Sequence, residues 1–236
     1  MTIAHQAVAI IPARSGSKRI PKKNIKCFAG TPMITRTISI LSSTGLFEEI
    51  VVTTDCQKTI NLSLGAGASK SIVRPHHLAD DHTPTKPVIQ HAIKELKLSS
   101  STAVCCVYPC NPFLNQLTLE KCYAQMSHAE DYFCFPVVEY AHPIQRALRL
   151  DKQSIITKRE PEFEQSRTQD LEPHYHDAGS FYWGTTCMWM SDTDVHSRSR
   201  GIPVSRTEAI DIDTIEDWSF AERLYKATQL PASCRD

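Results

Sequence analysis

"IIPARSGSKRIPKKN", residues 10–24, is the stretch whose reading decides the fold. The apolar run before it, Ala7 to Ile11, has the length and composition of a buried strand. Arg14, Lys18, Arg19, Lys22 and Lys23 then fall within eleven positions, with Ser15, Gly16 and Ser17 among them. A loop of small residues leaving a strand can turn its backbone N–H groups toward an anion. The cations add charge, and arginine can grip phosphate oxygens through two parallel hydrogen bonds. The spacing is neither GxxxxGK[ST] nor GxGxxG, so neither common nucleotide fingerprint applies. A solvated basic turn would have the same composition. Position separates the two readings, because ligands of open α/β sheets sit outside the carboxyl ends of the strands.

Outward from this loop the chain alternates. Strands are expected over residues 7–11, 49–53, 71–73, 102–107 and 131–138. Helical spacing is expected over 32–44, 57–64, 87–98 and 117–128, the third presenting Val88, His91, Ala92 and Leu96 on one face. Such alternation means βαβ units and a mostly parallel sheet, a Rossmann-like three-layer α/β/α fold. Past Tyr140 the periodicity fades. "RALRLDKQSIITKREPEF", residues 146–163, reads as a short hairpin, and "QSRTQDLEPHYHDAGSFYWG", residues 165–184, is polar and aromatic. Residues 139–180 are therefore expected to form an inserted lid or oligomer contact within a single domain spanning 1–236. Phe163, Tyr175, Phe181 and Trp183 suit a contact surface, the last two a core equally well. The chain returns to core over 181–190 and 209–212. A final helix from Thr214 presents Ile215, Trp218, Ala221, Leu224 and Tyr225, with Thr214 and Asp217 spaced as a capping box.

Composition narrows the functional classes. Lys plus Arg equals Asp plus Glu, 26 each in 236 residues. That balance argues against a general nucleic-acid or membrane-surface binder. No run approaches the ~18 apolar residues of a membrane span, and residues 1–6 lack the pattern of a secretory signal. Nine cysteines, an odd number without a CxxC pair, suit buried thiols in a reducing cytoplasm better than a disulfide framework. His76, His77 and His82 have no second ligand cluster at zinc spacing.

"AIDIDTIEDW", residues 209–218, supplies the opposite charge. Two residues apart in an extended run, Asp211 and Asp213 point to one face. Paired carboxylates at a strand end suit a hard divalent cation that also touches substrate phosphates. A simple cap for the following helix is the alternative for Asp213, and the basic loop elsewhere at the sheet's edge favours a magnesium site.

With these residues in view, the chain resembles the CMP-sugar-acid synthetases, the cytidylyltransferases for nine-carbon nonulosonic acids. The motifs are "IPARSGSKRIPKKN", "TTD" after the second strand, "RPHHLADDHTPT" and "DIDTIEDW", in order over about residues 8–226. "VCCVYPCNPFL", "PIQRALRL" and "RTQDLEPHYHDAGSFYWG" resemble the pseudaminic acid branch more than the sialic acid branch. The resemblance implies a nucleotidyltransferase fold, a homodimer packed through the insertion, and transfer of CMP from CTP to a nonulosonic acid with Mg2+. It implies that Ala13, Arg14, Ser15, Ser17, Lys18, Lys23 and Asn24 hold the CTP phosphates, and that Arg74 and Thr85 read cytosine. Arg14, Lys18, Lys23 and Asp211 would be catalytic, with Asp211 and Asp213 holding the metal. Gln145, Arg146, Arg167, Gln169 and Asp177 would join Tyr108 and His176 on the sugar side. Tyr108 stands where sialic acid enzymes have Gln, and His176 where they have a carboxylate-binding Arg; both departures count against sialic acid. Ser15 replaces the family's usual Gly. Sialic or legionaminic acid as acceptor, and a non-catalytic nucleotide-binding protein, are the rival readings.

Overall fold

The computed structural model describes residues 7–126 and 132–229. Residues 1–6, the far end of the expected 117–128 helix, the start of the 131–138 strand and Cys234 lie outside them. The first half follows the expected alternation, with strands Ala7–Pro12 (β1), Cys27–Phe28 (β2), Thr31–Pro32 (β3), Glu49–Thr54 (β4), Lys70–Val73 (β5), Ala103–Val107 (β6) and Phe133–Glu139 (β7). Helices Met33–Thr44 (α1), Gln57–Gly65 (α2), Thr85–Leu96 (α3) and Gln116–Gln125 (α4) lie between them. The second half adds a two-stranded hairpin, Leu148–Leu150 (β8) with Ile156–Lys158 (β9), then Tyr175–Asp177 (β10) and Phe181–Thr185 (β11). Helix Thr186–Met190 (α5), strand Ser199–Val204 (β12) and helix Ile215–Thr228 (α6) complete the described chain.

One sheet in the order β10-β7-β11-β6-β1-β4-β5 organises the molecule, with β12 also paired to β7. Every pairing among β5, β4, β1 and β6 is parallel, as is β12 with β7, while β10 and β11 run antiparallel to their neighbours. Both faces of the sheet are covered, which is why β1 reads as a continuous apolar run rather than an alternating one. Ala7, Ala9 and Ile11 enter one core with Ile34, Ile38 and Trp183. Val8 and Ile10 enter the other with Ile89, Ile93 and Trp189. Fully burying a side chain such as Ile10 or Ile11 is worth about 1.5–3 kcal/mol, so the strand that precedes the basic loop is firmly held.

A third apolar cluster fixes the loop itself. Ile20, in the middle of the basic stretch, is fully buried with Phe28, Met33, Ile212 and Trp218. This peg ties the loop to α6 and to the segment before it, bringing two ends of the sequence together. The Thr214–Asp217 capping box forms: the Thr214 hydroxyl accepts from Asp217 N–H at 3.1 Å and Thr214 N–H donates to Asp217 at 2.7 Å.

Several expectations are corrected. Residues 209–212 form no strand, and only Ile212 among them is fully buried. Ile215 is 55% exposed, so the apolar face of α6 begins at Trp218. The buried face of α3 is Val88, Ile89, Ala92 and Ile93, with His91 and Leu96 at its margins. Strand β12 was not foreseen, because Gly201 and Pro203 read as loop; Pro is tolerated here on a strand whose only partner is β7. Phe181 and Trp183 belong to the core. Among the described residues four cysteines are buried, whereas Cys27 and Cys187 are exposed. No helix among these residues is long and apolar enough to cross a membrane.

Candidate active site

A cavity of about 600 Å³ opens at the carboxyl ends of β1, β5 and β6. Its basic wall is the first loop, contributing Arg14, Ser17, Lys18, Arg19, Lys23 and Asn24. Asn24 donates to the Arg14 carbonyl at 3.0 Å and closes the loop on itself. Ala13 extends the β1–β4 pairing through its N–H to Thr53 O at 2.9 Å and is fully buried, so it shapes the loop's exit. Ser15 points away from the cavity. Its N–H and its hydroxyl donate to the two oxygens of Asp55, at 2.7 and 2.6 Å. Net, these bonds hold the Asp55 carboxyl below its ordinary range despite its partial burial. A side chain at this position is thus accommodated by the Asp of "TTD".

The floor is Arg74, 5% exposed, whose guanidinium donates to Thr53 O at 2.9 Å. Burial pulls its pKa down to about 10, against the opposing attraction of Asp55. Its Nε has no hydrogen-bond partner among the described residues. Thr85, at the first turn of α3, shares a 2.7 Å hydrogen bond with the Tyr108 hydroxyl. Tyr108 follows β6, and burial pushes its pKa up to about 12, so it is a neutral phenol at physiological pH.

Facing the loop are Asp211 and Asp213. Both carboxylates line the cavity, while Ile212 between them is fully buried, so the two faces of the segment part even without a strand. Asp211 is pushed up, first by desolvation and then by the Asp213 charge, while Lys23 and Arg19 pull the other way. Arg19 meets Asp213 at 2.7 Å and Lys23 stands 3.5 Å from it, while Lys23 also donates to Ile212 O. Two repelling carboxylates that attract cations have the donor chemistry for a hard divalent ion. Among the described residues no group of three or more His, Cys, Asp or Glu could hold a metal, so water and phosphate oxygens would complete the shell.

Asp81 was not singled out in the sequence. It lines the cavity and bridges Arg14 and Lys18, which hold its carboxyl at about 2. Its signal was the doubled Asp of "LADDH", two acids beside a basic loop's expected site. Cys110 also lines the wall, its thiol pushed up to about 11 by burial.

The sugar-side candidates are not gathered in this cavity, Tyr108 excepted. Gln145 is buried and donates to Glu172 O at 2.9 Å. Arg146 donates to Glu164 O, Ser166 O and Thr168 Oγ1 and borders a smaller cavity of about 130 Å³. Arg167 and Gln169 are exposed. His176 is exposed and packs edge-on to Tyr140. Asp177 stands behind the wall, where it accepts from Gly179 N–H, the Tyr182 hydroxyl and His196.

A family model described as cytidylyltransferase matches residues 8–232, and this span includes every wall of the cavity. The chain belongs to the cytidylyltransferase family. Over 224 residues it is 38% identical to a pseudaminic acid cytidylyltransferase of Campylobacter jejuni, covering 93% of this chain and 96% of that protein. It is 30% identical to a CMP-N,N'-diacetyllegionaminic acid synthase of Legionella pneumophila, covering 94% and 97% of the two chains. The fold of this cytidylyltransferase is similar to a solved CMP:2-keto-3-deoxy-manno-octonic acid synthetase complexed with CTP. There the TM-score is 0.68 at 16% identity, over 95% of this chain and 99% of that one.

Proposed function

We propose that this cytidylyltransferase moves CMP from CTP to the anomeric hydroxyl of pseudaminic acid, giving CMP-pseudaminic acid and pyrophosphate. The observation that carries the reading is the cavity in which a wall of cations faces a carboxylate pair across a buried arginine. The similarity to pseudaminic acid cytidylyltransferases over most of both chains supports the choice of sugar.

The cavity's residues suit nucleotidyl transfer, in which positioning and charge neutralisation dominate. Arg14, Lys18 and Lys23 bind the triphosphate and neutralise charge that grows on the departing pyrophosphate. To do so Arg14 and Lys18 exchange Asp81 for phosphate oxygens. Arg74, with a guanidinium short of partners, offers donors to the acceptor edge of cytosine, and Thr85 lies beside it. Tyr108 presents an aromatic face and a hydroxyl to the acceptor sugar, which suits a deoxy, acylamino sugar better than a glycerol tail. Asp211 and Asp213 would hold Mg2+, which when bound supplies charge for the α-phosphate and acidity for the attacking hydroxyl.

The 139–180 segment packs against a second copy in this reading. Its hairpin exposes Leu148, Leu150, Ile155 and Ile156, at 58–67%. The four buried thiols suit a reducing cytoplasm. The test is mass spectrometry of a reaction of CTP, Mg2+ and pseudaminic acid, with pyrophosphate followed in parallel. CMP-sugar and pyrophosphate in equal amounts are expected. CTP binding without turnover would instead mean a non-catalytic nucleotide-binding protein.

A further inference from the structure

The wall of the cavity that carries Gly179 and Tyr108 is built in an unusual way. Strand β10 pairs with β7 in one register, Asp177 opposite Val137, and β11 resumes with Trp183 opposite Cys134. Six residues on one strand therefore face three on the other, which is a bulge spanning Ala178, Gly179 and Ser180. Gly179 takes a left-handed conformation, φ +61°, that favours glycine, and it lines the cavity. Bulges of this kind re-aim residues beside functional sites.

Asp177 holds the bulge. One carboxylate oxygen accepts from Gly179 N–H at 2.8 Å. The other accepts from the Tyr182 hydroxyl at 2.7 Å, and His196 Nε2 lies 2.8 Å away. In the tautomer with its hydrogen on Nε2, His196 donates to this oxygen. His196 comes from the loop between α5 and β12 and packs edge-on to Phe135 and Tyr182. The bulge then reaches Tyr108 by two routes. Ser180 O accepts from Tyr108 N–H at 2.9 Å, and the Tyr182 ring meets the Tyr108 ring edge-on at 5.8 Å.

We infer that Asp177, held by His196, is a positioning residue for the acceptor sugar. It contacts no substrate; it fixes Gly179 and Tyr108, against which the sugar packs. The inference rests on the proposed function for the identity of the acceptor and adds a residue, His196, that no motif in the sequence marks. Displacing a wall by ~1 Å costs about a hundredfold in rate where geometry is demanding. The effect should fall chiefly on the sugar, because the network reaches the nucleotide side only at its far end, through the bond between Tyr108 and Thr85.

The experiment compares wild type with His196→Ala, His196→Gln, Tyr182→Phe and Asp177→Asn. Sugar KM and kcat are measured at saturating CTP, and CTP affinity is measured by calorimetry without sugar. Expected is a rise of about tenfold or more in sugar KM for His196→Ala, partial rescue by His196→Gln, whose amide can donate, and a CTP affinity that moves far less than sugar KM. Unchanged sugar KM in both His196→Ala and Tyr182→Phe would overturn the inference. So would a loss of CTP affinity in step with sugar KM, the mark of a purely structural role. Wild-type turnover tests the proposed function separately; if wild type takes another nonulosonic acid, the same ratios are read with that acceptor.

Discussion

Replacing Arg74 by Met should remove base selection without unfolding the protein. Cytosine offers acceptors at N3 and O2, whereas uracil carries a hydrogen at N3, so a guanidinium can tell them apart. Hydrogen bonds from a charged donor are worth about 1.5–3 kcal/mol, which is roughly 10- to 150-fold in kcat/KM. Stability should move the other way. The drop from 12.5 to about 10 means that ionisation of the buried guanidinium is disfavoured by about 3 kcal/mol in the ligand-free fold. This penalty is present below pH ~10 and fades as pH rises toward the unfolded value, because a depressed cation pKa favours the neutral form. Met keeps the volume and removes the charge. Thr53 O keeps its bond from Ala13 N–H, and Asp55 keeps both bonds from Ser15, so neither is left unpaired. Lost packing and the lost bond to Thr53 offset part of the gain. The melting temperature should therefore hold or rise by a few degrees, at about 2–4 °C per kcal/mol for a chain of this size. The assay is kcat/KM with CTP and with UTP, beside calorimetric melting. A variant that keeps the wild-type CTP-over-UTP ratio would refute the assignment of Arg74 to the base.

Asp211→Asn or Asp213→Asn should abolish most turnover while leaving the circular dichroism spectrum intact, since Asn keeps the size but loses the charge a divalent ion prefers; wild-type rates at low magnesium would reduce the pair to a helix-end feature. Asp81→Asn should tighten CTP binding several-fold and flatten its pH dependence in strong acid, where the Asp81 carboxyl, held at about 2, would otherwise begin to protonate. Weaker binding would assign Asp81 a direct role with substrate. Cys56, whose thiol is pulled down chiefly by Thr59 N–H at the start of α2, should be alkylated by iodoacetamide at neutral pH well before Cys110, pushed up to about 11. Peptide mapping at short times reads the order.

The place of the basic loop in the cavity was legible because the loop is local. Arg14 through Asn24 form one loop after one strand, and the topology of a parallel sheet dictates where that loop must lie. The carboxylate pair was legible for a partly wrong reason. A strand was expected, yet Asp211 and Asp213 line the cavity without one, with Ile212 buried between them. Asp55 and Asp81 were missed as partners because their meaning depends on contacts 40 and 67 residues away in sequence. Strand β12 pairs across an equally long separation and carries Gly and Pro, so local preference pointed the other way. The wall behind Tyr108 and Gly179 was the least legible. Asp177 and His196 meet behind the wall across nineteen residues, and nothing in the period or composition of either segment announces the other.

The central claim is the identity of the acceptor, and a competition reaction tests it most directly. CTP and Mg2+ are supplied with equal concentrations of pseudaminic acid and N-acetylneuraminic acid, and both CMP-sugars are followed by mass spectrometry. A site lacking the right polar partners for one sugar discriminates by about 100-fold or more, so CMP-pseudaminic acid should dominate by at least that ratio. Equal rates of formation of the two products would contradict the account.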